Sequence, residues 1–117
     1  MTDWVTEFFR RADALDADGV AELLTDDVAL NFGNWDTQSG RDAVRQTFAD
    51  FYSSIAGMSH SFVNVWEVNG GAIVESKVTY SKSEDEHVEI PAMTFLSQAG
   101  DKISGIRIYI DMAPLYT

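Results

Sequence analysis

Cysteine is absent from all 117 residues, which rules out disulfides, thiolate metal sites and a thiol nucleophile. Proline and histidine occur only twice each. Positive charge is scarce: 8 basic side chains stand against 19 acidic ones, a formal net charge of −11. Such a field repels phosphate backbones and anionic lipid surfaces, so neither a nucleic acid nor a membrane is expected as a partner. No apolar run approaches the ~18 residues that span a bilayer. The opening Met1-Thr2-Asp3-Trp4 lacks the basic start and apolar core of a signal peptide, so a cytoplasmic protein is expected. Glycine-rich phosphate loops and nucleophile-elbow serines are missing as well, and the two histidines lie 27 positions apart, so neither a metal nor a cofactor is expected.

What is present is apolar surface. Hydrophobic residues make up 45% of the chain and aromatics 12%, enough for a packed globule, and the length fits a single domain over residues 1–117. Trp4, Val5, Phe8, Phe9, Ala12 and Leu15 recur at helical spacing over 3–16. Asp18 offers an N-cap for a short second helix, Val20 to Leu24. Val28, Leu30 and Phe32 then alternate as in a strand. Ser39 and Asp42 match a capping box before the third helix, in which Val44, Phe48, Phe51, Tyr52 and Ile55 share a face.

Beyond Gly57 the period changes to two. His60, Phe62, Asn64, Trp66 and Val68 share one strand face. Asn69-Gly70-Gly71 marks a hairpin, and Val74, Ser76, Val78 and Tyr80 line one side of the partner strand. The fourth strand, His87 to Ser97, contains Pro91, which must sit at an edge or bulge. The last, Ile103 to Asp111, sets Ile106, Ile108 and Ile110 opposite Arg107, Tyr109 and Asp111. Helices first and strands afterwards predict an α+β fold, three helices on one face of an antiparallel sheet with the isoleucine stripe facing them.

The segments Asp18-Gly19-Val20-Ala21-Glu22-Leu23-Leu24-Thr25-Asp26-Asp27-Val28, Val78-Thr79-Tyr80, Gly100-Asp101-Lys102-Ile103 and Arg107-Ile108-Tyr109-Ile110-Asp111, in this order, resemble the SnoaL-like branch of the nuclear-transport-factor-2-like superfamily. The resemblance implies a cone-shaped, cystatin-like roll, the helices packed in a strongly curved antiparallel sheet, with a pocket at its open end and a homodimer through the outer sheet face. It also implies a choice among ketosteroid isomerases, polyketide cyclases, limonene-epoxide hydrolases and pure binders or scaffolds, because the fold does not fix the chemistry. The steroid-isomerase residues are not matched. Its base falls on Asn31 or Phe32, its neutral acid near Met93 and its tyrosine near Glu7 or Phe8. The epoxide-hydrolase acid of the last strand falls on Ile108.

Two candidates remain for proton transfer. His60 starts a strand expected to face inward, where an imidazole serves as acid or base near neutral pH; the bland alternative is a rim histidine bonded to backbone or water. Asp111 occupies the position of an acid/base aspartate in SnoaL-like cyclases, or else it caps the Ala113-Pro114 turn. Trp35 either lids the cone mouth or packs on the third helix. The expected pocket is lined by Phe62, Trp66, Met93, Phe95, Ile106 and Ile108, with Asn31, Asn64 and Tyr80 as polar contacts. The expected ligand is a small apolar or carbonyl-bearing molecule. Proton transfer without a cofactor is one reading of its fate, and binding without turnover is the other.

Overall fold

The structure, a computed structural model, describes residues 3–116. Helix α1 (Asp3–Asp13) buries Val5, Phe8, Phe9 and Ala12. It stops short of the expected end because Leu15 turns to a φ of 57°. Helix α2 (Ala17–Ala21) starts one turn early, capped by Asp16, whose carboxylate accepts the Gly19 N–H at 2.9 Å. Strand β1 (Leu24–Phe32) therefore takes in residues expected to be helix and turn. The two-residue β2 (Gln38–Ser39) pairs with it. Helix α3 (Arg41–Ser53) turns Val44, Phe48, Phe51 and Tyr52 to the core. The Ser39–Asp42 capping box does not form: Gly40, at a φ of 96° that disfavours other residues, is the N-cap and Ser39 is spent in β2.

A long meander follows: β3 (Gly57–Val68), β4 (Gly71–Ser81), β5 (His87–Ala99) and β6 (Lys102–Ile110). Val68 pairs with Gly71, so the hairpin loop has two residues, with Gly70 at a φ of 80°. The six strands form one curved, open sheet in the order β2-β1-β6-β5-β4-β3. The meander and the β1–β2 pair are antiparallel, as expected, but β1 lies parallel to β6. Parallel neighbours need a long connection, and everything from β2 to β5 provides it. Pro91 lies one residue past Ala92, the last residue of β5 that β6 pairs, so no strand on that side awaits its missing N–H.

The core lies between the three helices and the concave side of the sheet. Ile106, Leu30, Leu96 and Val74 are almost fully buried there. Ile108 and Ile110 follow Ile106 on the same side, while Arg107, Tyr109 and Asp111 are exposed on the other. The isoleucine stripe faces the helices, as its alternation requires.

Candidate functional site

Between α1, α3 and the sheet lies a cavity of about 30 Å³, room for two or three water molecules at ~10–15 Å³ each. Phe8, Phe9 and Ala12 of α1 wall one side, and Phe48, Phe51 and Tyr52 of α3 another. The sheet contributes Phe32, Met58, His60, Val78 and Tyr80, then Ala92, Thr94, Ile108 and Ile110. Aromatic rings lock together around it. Phe8 meets Phe9 edge-on at 5.0 Å, Phe51 meets Phe32 at 5.3 Å and Tyr80 at 5.7 Å, and Phe48 stacks on Tyr52 at 5.6 Å. The wide aromatic faces of α1 and α3 build this wall, since each ring buries a large apolar area in an edge-to-face or stacked pair.

One polar pair interrupts it. Asp13, the last residue of α1, reaches His60 on β3: Oδ1 lies 2.5 Å from the ring Nδ1, and Oδ2 accepts the His60 backbone N–H at 3.1 Å. A carboxylate only accepts, so Nδ1 carries the proton. The other ring nitrogen, Nε2, has no hydrogen-bond partner among the described residues. The His60 side chain is 10% exposed, and its ring, 4.7 Å from that of Phe9, forms part of the cavity wall. Carboxylate-held imidazole of this kind has a fixed tautomer, with one nitrogen free to take or give a proton.

Two phenols share the chamber. Burial pushes the Tyr52 hydroxyl well above the ordinary tyrosine range, helped by Tyr80 and by the charges of Asp13 and Asp16. Burial does the same for Tyr80, followed by Tyr116 and Asp13. Both therefore remain neutral hydrogen-bond donors throughout the physiological range. Among the described residues Ser76 and Thr94 are the buried polar ones on the concave side, and the Ser76 hydroxyl has no partner there.

The site expected from the sequence is rearranged. Tyr80 and Ile108 line the cavity and Ile106 lies buried beyond it. Phe62 keeps the inward register and meets Phe9 at 5.2 Å, yet is 42% exposed and lies beyond the cavity wall. After Phe62 the β3–β4 register shifts by one residue. This bulge turns Asn64 and Trp66 outward, where Asn64 donates to Glu75 at 3.0 Å and Trp66 lies opposite Ile73. Met93 and Phe95 alternate outward from Ala92 and Thr94, and Arg107 lies over the Phe95 ring. Asn31 also faces away from the helices: it pairs with Arg107 and donates to the Thr37 hydroxyl at 2.7 Å. Trp35 stacks on Phe32 at 4.7 Å and meets Phe51 of α3 edge-on, so it packs on the aromatic wall from outside. Asp111 lies outside the cavity, with Oδ1 accepting the Ala113 N–H at 3.0 Å, the turn-capping alternative.

Asp13 was missed because its partner lies 47 residues away. A local signal was available, since an acidic residue in the last turn of a helix opposes the dipole and calls for another reason to be there. Among the described residues no group of three or more His, Asp or Glu could hold a metal ion, and no helix is long and apolar enough to cross a membrane.

Comparison with known proteins agrees with this architecture. The SnoaL-like domain family matches residues 5–106, and the chain belongs to that family. A search of curated protein sequences finds no match. Among solved structures, a protein of Jannaschia sp. CCS1 assigned as a SnoaL-like polyketide cyclase superposes with a TM-score of 0.86 at 15% identity, covering 99% of this chain and 88% of that one. A Catenulispora acidiphila protein of ketosteroid-isomerase-like fold, in complex with trimethylamine, gives 0.82 at 16% identity over 92% and 84%. The epoxide hydrolase/cyclase-like enzyme SalBIII, of pyran ring formation in the polyether salinomycin, gives 0.81 at 19% identity over 96% and 91%. At such identities the likeness is one of fold.

Proposed function

We propose that this protein is an enzyme that moves a proton on a small hydrophobic carbonyl compound without a cofactor, with His60 as the base. The observation that carries the reading is the Asp13–His60 pair set beside two phenols into a largely apolar cavity wall. In the proposed step Nε2 takes the proton from the carbon next to the carbonyl. The C–H electron pair becomes the enolate, and its oxygen accepts a hydrogen bond from the Tyr52 or Tyr80 phenol. Asp13 balances the imidazolium that forms. The proton returns to the same carbon or to a conjugated one, giving exchange in the first case and isomerisation in the second. Asp111 has no part in this step. The fold shared with cyclase-like and epoxide-hydrolase-like proteins supports an enzyme of this broad kind but does not choose among reactions.

The test is α-proton exchange of 2-methylcyclohexanone in D2O, followed by NMR. Exchange above the buffer rate is expected, falling by about 10²-fold or more in His60→Gln and unchanged in Asp111→Asn. Exchange no faster than buffer, or a His60→Gln variant as fast as the wild type, refutes the reading.

A second part of the proposal concerns the convex face of the sheet. Trp66 is 44% exposed and Met93 38%. They adjoin Ile73 and Phe95, and Glu75, Lys77 and Arg107 lie around them on the same face. An apolar centre ringed by both charges is self-complementary about a two-fold axis. The proposed occupant is a second copy of this chain.

A further inference from the structure

A cavity of about 30 Å³ admits no organic substrate as it stands, so the wall that yields is the next question. On the far side of that wall lies an open cleft of about 490 Å³, bordered by Gly33, Trp35, Asp111, Met112 and Tyr116. Ile110 lines the cavity and the cleft alike. Next to it, Phe32 lines the cavity and Trp35 the cleft, their rings stacked at 4.7 Å and 17°. The two spaces thus meet at Ile110 and at the Phe32–Trp35 stack, which Phe51 backs edge-on. Trp35 is 39% exposed, and it is carried on a turn in which Gly33 has a φ of +56° and the Trp35 N–H is held by the Phe32 carbonyl. Phe32 belongs to β1, whereas Trp35 lies in the loop between β1 and β2, so its departure from the stack breaks no strand pairing.

We propose that cavity and cleft are two chambers of one ligand site, and that its ligand is elongated: a carbonyl-bearing ring that enters beside His60 when Ile110 and Trp35 give way, joined to a flat aromatic group that lies in the cleft against Trp35 and Tyr116. The inference rests on the reading of the cavity as the reacting chamber. Asp111 belongs to the outer chamber. Its Oδ1 is held by the Ala113 N–H, and its second oxygen suits a hydroxyl or amine donor at the outer end of the ligand. On this account the aspartate and Trp35, which sequence reasoning placed at the site, recognise the ligand rather than react with it.

The probe is 4-phenylcyclohexanone, with cyclohexanone as the short control, titrated into protein labelled with ¹⁵N in the histidine and tryptophan rings. The His60 ring and the Trp35 indole are expected to shift along one isotherm with the phenyl ketone. Trp35→Ala is expected to weaken that ketone by up to roughly tenfold, the loss of one aromatic stack, and not to weaken cyclohexanone, whose entry past that side chain it eases. Tyr116→Ala, at a side chain outside the core, is expected to repeat the selective loss, and decides the matter should Trp35→Ala fold poorly. Shifts confined to one chamber, two separate isotherms, equal weakening of both ketones, or no shift in either ring up to the solubility limit would each overturn the divided site. Joint shifts without α-proton exchange would leave it standing and remove the proton-transfer reading instead.

Discussion

The Asp13 carboxylate makes two hydrogen bonds to one residue, and their loss can be separated. Asp13→Ala removes both and leaves the His60 backbone N–H and Nδ1–H unpaired beside an apolar wall, with the His60 side chain only 10% exposed. Each bond to a carboxylate contributes about 1.5–3 kcal/mol, so the variant should lose about 3 kcal/mol or more. That is a large share of the ~5–15 kcal/mol typical of a domain. With a urea m-value of about 1.5 kcal/mol/M, the unfolding midpoint should fall by about 2 M. Asp13→Asn keeps an acceptor for the backbone N–H and should lose about half as much. His60→Leu removes the ring alone, because any residue at that position keeps the backbone N–H. The double-mutant cycle of Asp13→Ala with His60→Leu therefore isolates the ring bond, with an expected coupling of about 1.5–2 kcal/mol. A coupling under about 0.5 kcal/mol would mean that the two side chains hold no energetically real bond, and the assignment of a fixed tautomer to His60 would fall with it.

Three further outcomes are expected. Ser76→Ala should raise the melting temperature by about 3–5 °C, since it deletes a buried hydroxyl without a partner that costs ~1 kcal/mol or more; a clear loss in a thermal melt would show that the hydroxyl holds a buried water. Glu7, hydrogen-bonded by Arg10 and Arg11 and so held down to about 2 from 4.5, should stabilise α1 fully above pH 4.5 and lose that contribution as pH falls through about 2. Carbonyl ¹³C shifts would locate its midpoint, and one near 4 would refute the arginine clamp. Trp66→Glu should turn a dimer into a monomer in sedimentation velocity at micromolar concentration, and a wild-type chain already monomeric there would remove the convex-face interface.

Much of the architecture could be read from periodicity, because the elements that carry it are strongly patterned. The β6 stripe is an instance: three isoleucines alternate with Arg107, Tyr109 and Asp111, and only one assignment of faces buries the isoleucines. The Asn69-Gly70-Gly71 turn is another, since a two-residue loop asks for the positive φ found at Gly70. Reading failed where both faces of a strand are apolar. In β5 the larger Met93 and Phe95 looked like pocket residues, yet Ala92, Thr94 and Leu96 are the buried set. Bulk misled there because the convex face is itself apolar. Asn31 is a different miss. Its own alternation with Leu30 and Phe32 already placed it opposite the core, and its choice as a polar contact ignored that period.

The bulge in β3 has the widest consequence for the site. Before it, Met58 and His60 share the concave face with Tyr80 and Val78. After it, Val65 takes the inward place opposite Val74, and Trp66 goes out opposite Ile73. Were this sequence paired with no bulge, continued alternation from His60 and Phe62 would put Asn64, Trp66 and Val68 over the core, burying an amide and a large indole among well-packed aliphatic side chains. The bulge lets one strand supply a base to the cavity and an aromatic anchor to the convex face, which a strictly alternating strand of this sequence could not do. The two proposed roles of β3, proton transfer at its start and self-association near its end, therefore rest on the same bulged pairing. A deletion of Val63 should straighten the strand without changing either face, with Trp66 still opposite Ile73 and the Asp13–His60 pair in place; a Trp66 that became buried in fluorescence quenching would refute the bulge.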